Sequence, residues 1–177
     1  SEPGREPEAT EAARIEAVVD LAAVRHNVGV LVAAAAPGAA VMAVVKADGY
    51  GHGAVPVARA ALDAGATWLG VCTLGEALEL RAAGVTAPVL SWLHLPDEDF
   101  APAVAAGIDL SVASRAHLAA VCGGARRVGR PARVHLKADT GLSRNGAVAA
   151  DWPELVDDAA KAAAEGECEV VAVWSHL

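Results

Sequence analysis

Aromatic residues are scarce in this chain. They make up 3% of its 177 residues, and tyrosine and phenylalanine occur once each, as Tyr50 and Phe100. The core must therefore be aliphatic. The 54% of hydrophobic residues, rich in alanine and valine, suit helices packed on a parallel sheet rather than a disordered chain. Cys72, Cys122 and Cys168 are an odd number at wide spacing with no C-x-x-C, so neither a disulfide framework nor a zinc site is indicated. Reduced thiols in a cytoplasmic chain are the simple reading. No apolar run reaches membrane-spanning length. The start is rich in proline and glutamate and lacks a signal-peptide pattern; residues 1–14 read as a disordered tail. Positive charge is in deficit too, with 14 Lys and Arg against 22 Asp and Glu. The net charge of −8 argues against nucleic acid or an anionic membrane as partner. The cluster Arg126, Arg127, Arg130 and Arg133 reads as a solvated helix end and loop. His26, His94, His117 and His135 have no metal-ligand spacing and receive no role. Ser91, Ser111, Ser114 and Ser143 have no nucleophile-elbow context.

What the chain does have is a repeating unit of apolar strand, loop, helix and glycine. Strands are expected near 41–46, 68–72, 88–92, 108–112, 132–138 and 168–174. Helices are expected near 54–64, 74–83, 97–106, 115–122 and 152–165. Ahead of them, Ala17-Val18-Val19 has the composition of a short strand. Asp20 then offers an N-cap to a helix carrying Leu21, Val24, Val28 and Leu31. Gly65, Gly84, Gly107, Gly123 and Gly166 each follow a helical pattern, where a left-handed C-terminal cap would stand. Thr73 with Glu76 fits a capping box, and Asp151 is an N-cap candidate before Pro153 and Glu154.

Strand–helix alternation implies right-handed crossovers and a parallel sheet. Two α/β folds fit, a doubly wound sheet and a (β/α)₈ TIM barrel. The nucleotide-binding form of the first wants GxGxxG after its first strand, and Gly49-Tyr50-Gly51-His52-Gly53 is not that pattern. Lys46, Trp92, Lys137, Arg144 and His176 fall at or just beyond the C-terminal ends of several strands, where barrel enzymes keep their chemistry. The barrel is therefore favoured. About six of its eight strands can be counted, so it is incomplete, and two unpaired edges predict poor folding in isolation.

Lys46 carries the most information. It ends the apolar run Val41-Met42-Ala43-Val44-Val45 and opens a glycine-rich loop at the edge of an apolar pocket. A lysine so placed can act as an amine nucleophile toward an aldehyde. At a pKa near 10.4 about 1 in 2,500 amines is neutral at pH 7, and a downward shift of about three units takes roughly 4 kcal/mol of desolvation or like-charge repulsion. The same placement suits a lysine that snorkels, with its stem in the core.

The stretch Val44-Val45-Lys46-Ala47-Asp48-Gly49-Tyr50-Gly51-His52-Gly53 resembles the pyridoxal-phosphate lysine motif of the alanine racemases. Lys137-Ala138-Asp139-Thr140-Gly141-Leu142-Ser143-Arg144-Asn145-Gly146 is similar to that family's second signature. Trp174-Ser175-His176-Leu177 matches a strand that ends in Thr/Ser-His. The three motifs occur in the family's order, and the likeness runs from about Glu16 to Leu177. It implies that residues 15–177 are the N-terminal portion of a pyridoxal-phosphate barrel of the alanine racemase type, without the family's C-terminal β domain. It also implies pyridoxal 5'-phosphate as cofactor, interconversion of L- and D-alanine for cell-wall precursors, and a homodimer for the full-length form. The alternatives are a related amino-acid racemase or decarboxylase of the same fold, a barrel that holds the cofactor without catalysis, and an inactive fragment.

By the resemblance, Lys46 is the Schiff-base lysine and the base on one face of Cα. Tyr50 donates to the cofactor phosphate, Arg144 donates to its phenolic oxygen, and His176 packs against its ring. Lys137 matches a lysine that is often carbamylated, which would turn a cation beside Arg144 into an anion. Taken singly, Tyr50 could close the loop onto the barrel rim, Arg144 could pair with Asp139, and His176 and Trp92 could be core or rim residues. His52 reads as structural to the turn. The family's second base is a tyrosine from the C-terminal domain of the partner subunit. Tyr50 matches a different role, so the isolated 177-residue chain is expected to be inactive.

Overall fold

Strand order decides the architecture. The structure, a computed structural model, describes residues 15–95 and 97–177. The tail expected over 1–14 lies outside the described residues. Helix α1 (Leu21–Ala34) precedes β1 (Met42–Val44), which runs into α2 (Lys46–Gly51), a single turn of unusual hand, and α3 (Ala54–Asp63). Then follow β2 (Trp68–Val71), α4 (Leu74–Ala82), β3 (Val89–Ser91), α5 (Ala101–Ala105), β4 (Asp109–Val112), α6 (Arg115–Val128), β5 (Ala132–Ala138), α7 (Trp152–Ala164) and β6 (Cys168–Ser175). The six strands form one sheet in the order β1-β2-β3-β4-β5-β6, and every neighbouring pair is parallel. Right-handed crossovers in unbroken order place all helices on one face, so the sheet curls around the other; a doubly wound sheet reverses its order partway. Laid flat, β1 and β6 would stand ~24 Å apart at the usual strand spacing. Here Met42 and Val44 of β1 and Trp174 of β6 line one cavity. The sheet is the incomplete barrel that the strand count predicts.

The two strand faces divide the labour. Leu69, Val71, Val89, Leu110, Val112, Val134 and Leu136 turn outward and are buried with Ala58, Ala77, Leu80, Val104, Leu118, Val121, Leu155 and Ala159 of the helices. Alternate positions, among them Met42, Leu90, His135, Lys137 and Trp174, face the barrel interior. No helix of the described residues is long and apolar enough to cross a membrane.

Element ends follow the sequence with instructive exceptions. Asp20 Oδ1 accepts from Ala22 N and Ala23 N, and Thr73 with Glu76 completes the capping box. Asp151 stands at the N-cap of α7 but accepts no helix N–H. Its backbone is helical (φ −92°, ψ −16°) rather than extended, the form that directs a carboxylate onto the first amides. Gly65, Gly84, Gly107 and Gly166 have the positive φ of left-handed caps. Gly123 does not: α6 continues to Val128 and closes at Gly129 (φ 74°). Gly124 serves packing instead, since a Cβ there would come within 3.0 Å of Phe100 Cβ and Ala101 N. The helix expected near 97–106 is confined to Ala101–Ala105. Residues 17–19 join no sheet among the described residues and are exposed. Three of the four clustered arginines pair with carboxylates, Arg126 with Glu167, Arg127 with Asp99, and Arg133 with Asp109 and Glu169, while Arg130 donates to Ala105 O at 3.3 Å.

Candidate active site

Lys46 leaves β1 where the chain changes hand. Ala47, Asp48, Gly49 and Tyr50 have φ of 51–60° and ψ of 38–51°, a left-handed helical turn where the sequence suggests a loop. Three of the four are not glycine, and this conformation costs roughly 1–2 kcal/mol for each such residue. A set of hydrogen bonds holds it. Gly49 N donates to Val45 O at 2.9 Å and Gly53 N to Asp48 O at 2.8 Å. Asp48 Oδ1 accepts from Ala54 N at 2.7 Å, and His52 Nδ1 donates to Gly49 O at 3.0 Å, the structural role expected of His52. Gly49 is buried where a Cβ would lie 3.3 Å from Ala54 N. From α4, Glu76 Oε1 accepts from Ala47 N at 2.7 Å. Burial alone would raise the Glu76 pKa, but backbone hydrogen bonds from Thr73, Ala47 and Cys72 outweigh it and hold the carboxyl below its ordinary value. The turn brings Lys46 and Tyr50 to one side, with Nζ 5.7 Å from the Tyr50 ring centroid.

The turn borders a cavity of about 600 Å³ at the C-terminal ends of the strands. Its charged lining residues are Lys46, Lys137 and Arg144, with no carboxylate among them. In a chain of net charge −8 this is a local reversal of sign, and it favours an anion. Lys137 is 5% exposed, and among the described residues its ammonium has no carboxylate within ion-pair distance; Nζ lies 4.4 Å from the Trp174 ring centroid. Burial, and then the Arg144 charge, hold its pKa below the ordinary lysine value. Arg144 does not pair with Asp139, whose Oδ1 accepts from Gly141 N and Ser143 N, each at 2.9 Å. It donates instead to His176 Nε2. That bond requires a neutral imidazole with its proton on Nδ1. Desolvation, and then Arg144, Lys137 and Lys46, hold the His176 pKa below the ordinary histidine value. The Arg144 loop is pinched at its base by Ala147 N to Lys137 O at 2.8 Å and Asp139 N to Ala147 O at 2.9 Å. There Gly146 (φ 136°) fits because a Cβ would lie 2.6 Å from Asp139 N.

All five residues singled out in the sequence, Lys46, Tyr50, Lys137, Arg144 and His176, line this cavity. Two others were not given their place. Trp174 is the surface beneath Lys137; its Nε1 donates to Ser111 Oγ at 3.0 Å and its ring lies 6.0 Å from that of Trp92, so the two indoles form an apolar wall. A two-residue step back from His176 signals Trp174. Gly70 makes room for this wall, since a Cβ would stand 2.6 Å from the Trp92 ring. His135 faces the cavity from below and is bonded to buried Asp109 at 2.8 Å, which also receives Arg133 at 2.8 Å. Burial would raise the Asp109 pKa, and these two partners outweigh it. Among the described residues no three His, Cys, Asp or Glu side chains gather as metal ligands.

Comparison with known proteins agrees with this geometry. Residues 19–177 match the family described as alanine racemase, N-terminal domain. The alanine racemase of Frankia casuarinae is 62% identical over 161 residues, which are 91% of this chain and 42% of that protein. That of Mycolicibacterium smegmatis is 56% identical over 165 residues, 93% of this chain and 42% of that one. The crystal structure of alanine racemase from D-cycloserine-producing Streptomyces lavendulae superposes with a TM-score of 0.87 at 54% identity, covering 90% of this chain and 41% of that one. The Bacillus anthracis enzyme with bound L-Ala-P gives 0.77 at 33% identity, covering 90% and 40%. The chain thus spans about two fifths of the length of the relatives it matches, 42% for the first of them. Over that span it belongs to the alanine racemase N-terminal domain family.

Proposed function

We propose that this polypeptide supplies the cofactor-bearing part of a pyridoxal-phosphate-dependent alanine racemase, which interconverts L- and D-alanine for cell-wall precursors. The observation that carries the reading is the convergence of Lys46, Lys137 and Arg144 on one carboxylate-free cavity at the strand ends. The donor set fits pyridoxal 5'-phosphate: an amine for its aldehyde, cations and the Tyr50 hydroxyl for its anionic oxygens, and an indole wall for its flat ring. When bound, the cofactor draws electrons from Cα of an attached amino acid and makes the Cα proton acidic. The Lys46 amine takes and returns that proton from one face. Tyr50 holds the phosphate. Arg144, oriented by His176, donates to the phenolic oxygen, and the neutral His176 adds no second charge there. Lys137 answers Arg144 as a carbamate or shares a small anion with it.

Racemisation needs a base on each face of Cα. Tyr50 is the single tyrosine and stands on the Lys46 turn. The opposing base is therefore assigned to the C-terminal domain of the partner subunit in a full-length cytoplasmic homodimer, with residues 15–177 as the N-terminal portion of the barrel. Borohydride reduction of the full-length protein with pyridoxal phosphate, followed by peptide mapping, is expected to give one adduct, on Lys46. Lys46→Ala is expected to abolish the adduct and lower racemisation by roughly 10⁴-fold or more. An adduct at another lysine would overturn the assignment. An adduct on Lys46 with no turnover of alanine would favour a cofactor-holding barrel.

A further inference from the structure

We infer that Glu76 is the positioning residue for the Lys46 amine, and that it acts only as a carboxylate, tying the left-handed turn to the end of β2 and the start of α4. The inference rests on the reading of Lys46 as the cofactor lysine. Three N–H groups converge on this side chain. Ala47 N donates to Oε1 at 2.7 Å, while Cys72 N and Thr73 N donate to Oε2 at 2.8 and 3.0 Å. The Thr73 bond is the ordinary half of a capping box. The Ala47 bond is different in kind: it spans 29 residues and satisfies the amide that opens a turn, which has no partner within the turn itself. Ala47 is bonded covalently to Lys46, so this contact fixes where the lysine leaves the sheet. Cys72, held by the other oxygen, lines the same cavity.

Both oxygens accept, Oε1 from one N–H and Oε2 from two. A glutamine would set its NH₂ against either the Ala47 amide or the Cys72 and Thr73 amides, and a protonated carboxyl would lose the charge that strengthens all three bonds. Aspartate is one methylene too short to span the two sites. Glu76 does not itself line the cavity, which makes it a positioning residue rather than a catalytic one.

The test uses the full-length protein and the variants Glu76→Gln, Glu76→Ala and Thr73→Ala. Thr73→Ala removes the hydroxyl that accepts from Glu76 N at 3.3 Å, and with it the smallest of the contacts that favour the carboxylate, but keeps the carboxylate and its three backbone donors, so it reports chiefly the capping of α4. Pyridoxal-phosphate affinity is read by fluorescence titration, and turn order by amide exchange in the peptide covering 46–51. Glu76→Gln is expected to weaken cofactor binding by about tenfold or more, as much as Glu76→Ala does, with faster exchange over 46–51. Thr73→Ala is expected to bind cofactor like the parent and to loosen only 74–82. In the parent protein, protection over 46–51 is expected to fall reversibly as acid protonates Glu76, a readout that remains if Glu76→Ala does not fold. Parent-like affinity and exchange in Glu76→Gln would overturn the inference. If the parent itself gives no Lys46 adduct, the cofactor reading fails, while the exchange data still decide whether Glu76 holds the turn.

Discussion

Lys137 is the residue on which the electrostatics of the cavity turn, an ammonium that is 5% exposed and rests on an indole face. Its pKa is lower in the folded chain than the ordinary 10.5, first through burial and then through Arg144. The unfolded chain therefore binds this proton more tightly. The cost to folding is full below the folded pKa and vanishes as pH rises through the unfolded value. Lys137→Met, without cofactor or added anion, is expected to raise the urea midpoint at pH 7, with the gain shrinking toward pH 10. A gain that is constant with pH would point to packing instead. His94 gives the opposite end of the pH scale. Its Nδ1 faces His117 Nε2 at 3.1 Å and its Nε2 faces Ser91 Oγ at 3.0 Å; burial and then His117 push its pKa down to about 3. Stability is expected to fall as pH drops from 6.5 toward 3, and His94→Gln to flatten that slope in acid unfolding followed by circular dichroism. At this scale the cavity-lining residues Lys46, Tyr50, Lys137, Arg144 and His176 were legible because they sit in contiguous motifs. Glu76 was legible only as a cap, because its bond to Ala47 spans 29 residues of chain. The hand of the Lys46 turn was hidden for a different reason: alanine, aspartate and tyrosine all disfavour it, and tertiary hydrogen bonds impose it.

At the level of elements, apolar strands separated by glycine-terminated helices made the order and approximate bounds of all six strands readable. The end of α6 was misread because glycine has two uses, to cap a helix and to let helices touch. Gly123 and Gly124 separate those uses by one position. A Cβ on Gly123 would meet only the flexible end of Arg126, at 3.9 Å, whereas on Gly124 it would press on the backbone of α5 at 3.0 Å. Gly123→Ala is expected to stabilise by up to about 1 kcal/mol through helix propensity. Gly124→Val is expected to destabilise by about 1–3 kcal/mol through overpacking, more than its gain in propensity. Thermal melts of the two variants should move in opposite directions. Equal shifts of the same sign would mean that α6 does not seat on α5 through Gly124.

For the whole molecule, the unbroken strand order that makes the sheet curl also gives it two edges, β1 and β6, and each is paired on one side only among the described residues. β6 is eight residues long and carries Val170 and Val173 at 39% and 59% exposure. A long apolar edge invites pairing with another strand. The strand count and the order of motifs made this incompleteness readable from sequence, because a closed barrel needs eight strands. What the pattern could not give is the packing of the interior, where the Trp92 and Trp174 rings lie 6.0 Å apart and a Cβ on Gly70 would stand 2.6 Å from Trp92. The 177-residue polypeptide expressed by itself is therefore expected to self-associate in a concentration-dependent way in sedimentation velocity. Val173→Lys places a charge on that edge and is expected to shift the distribution toward monomer without changing the far-ultraviolet circular dichroism. Should Val173→Lys leave the distribution unchanged while Val30→Lys on the exposed side of α1 dispersed it, association would run through the helical face, and the open edge of β6 would have to be covered by the chain's own fold.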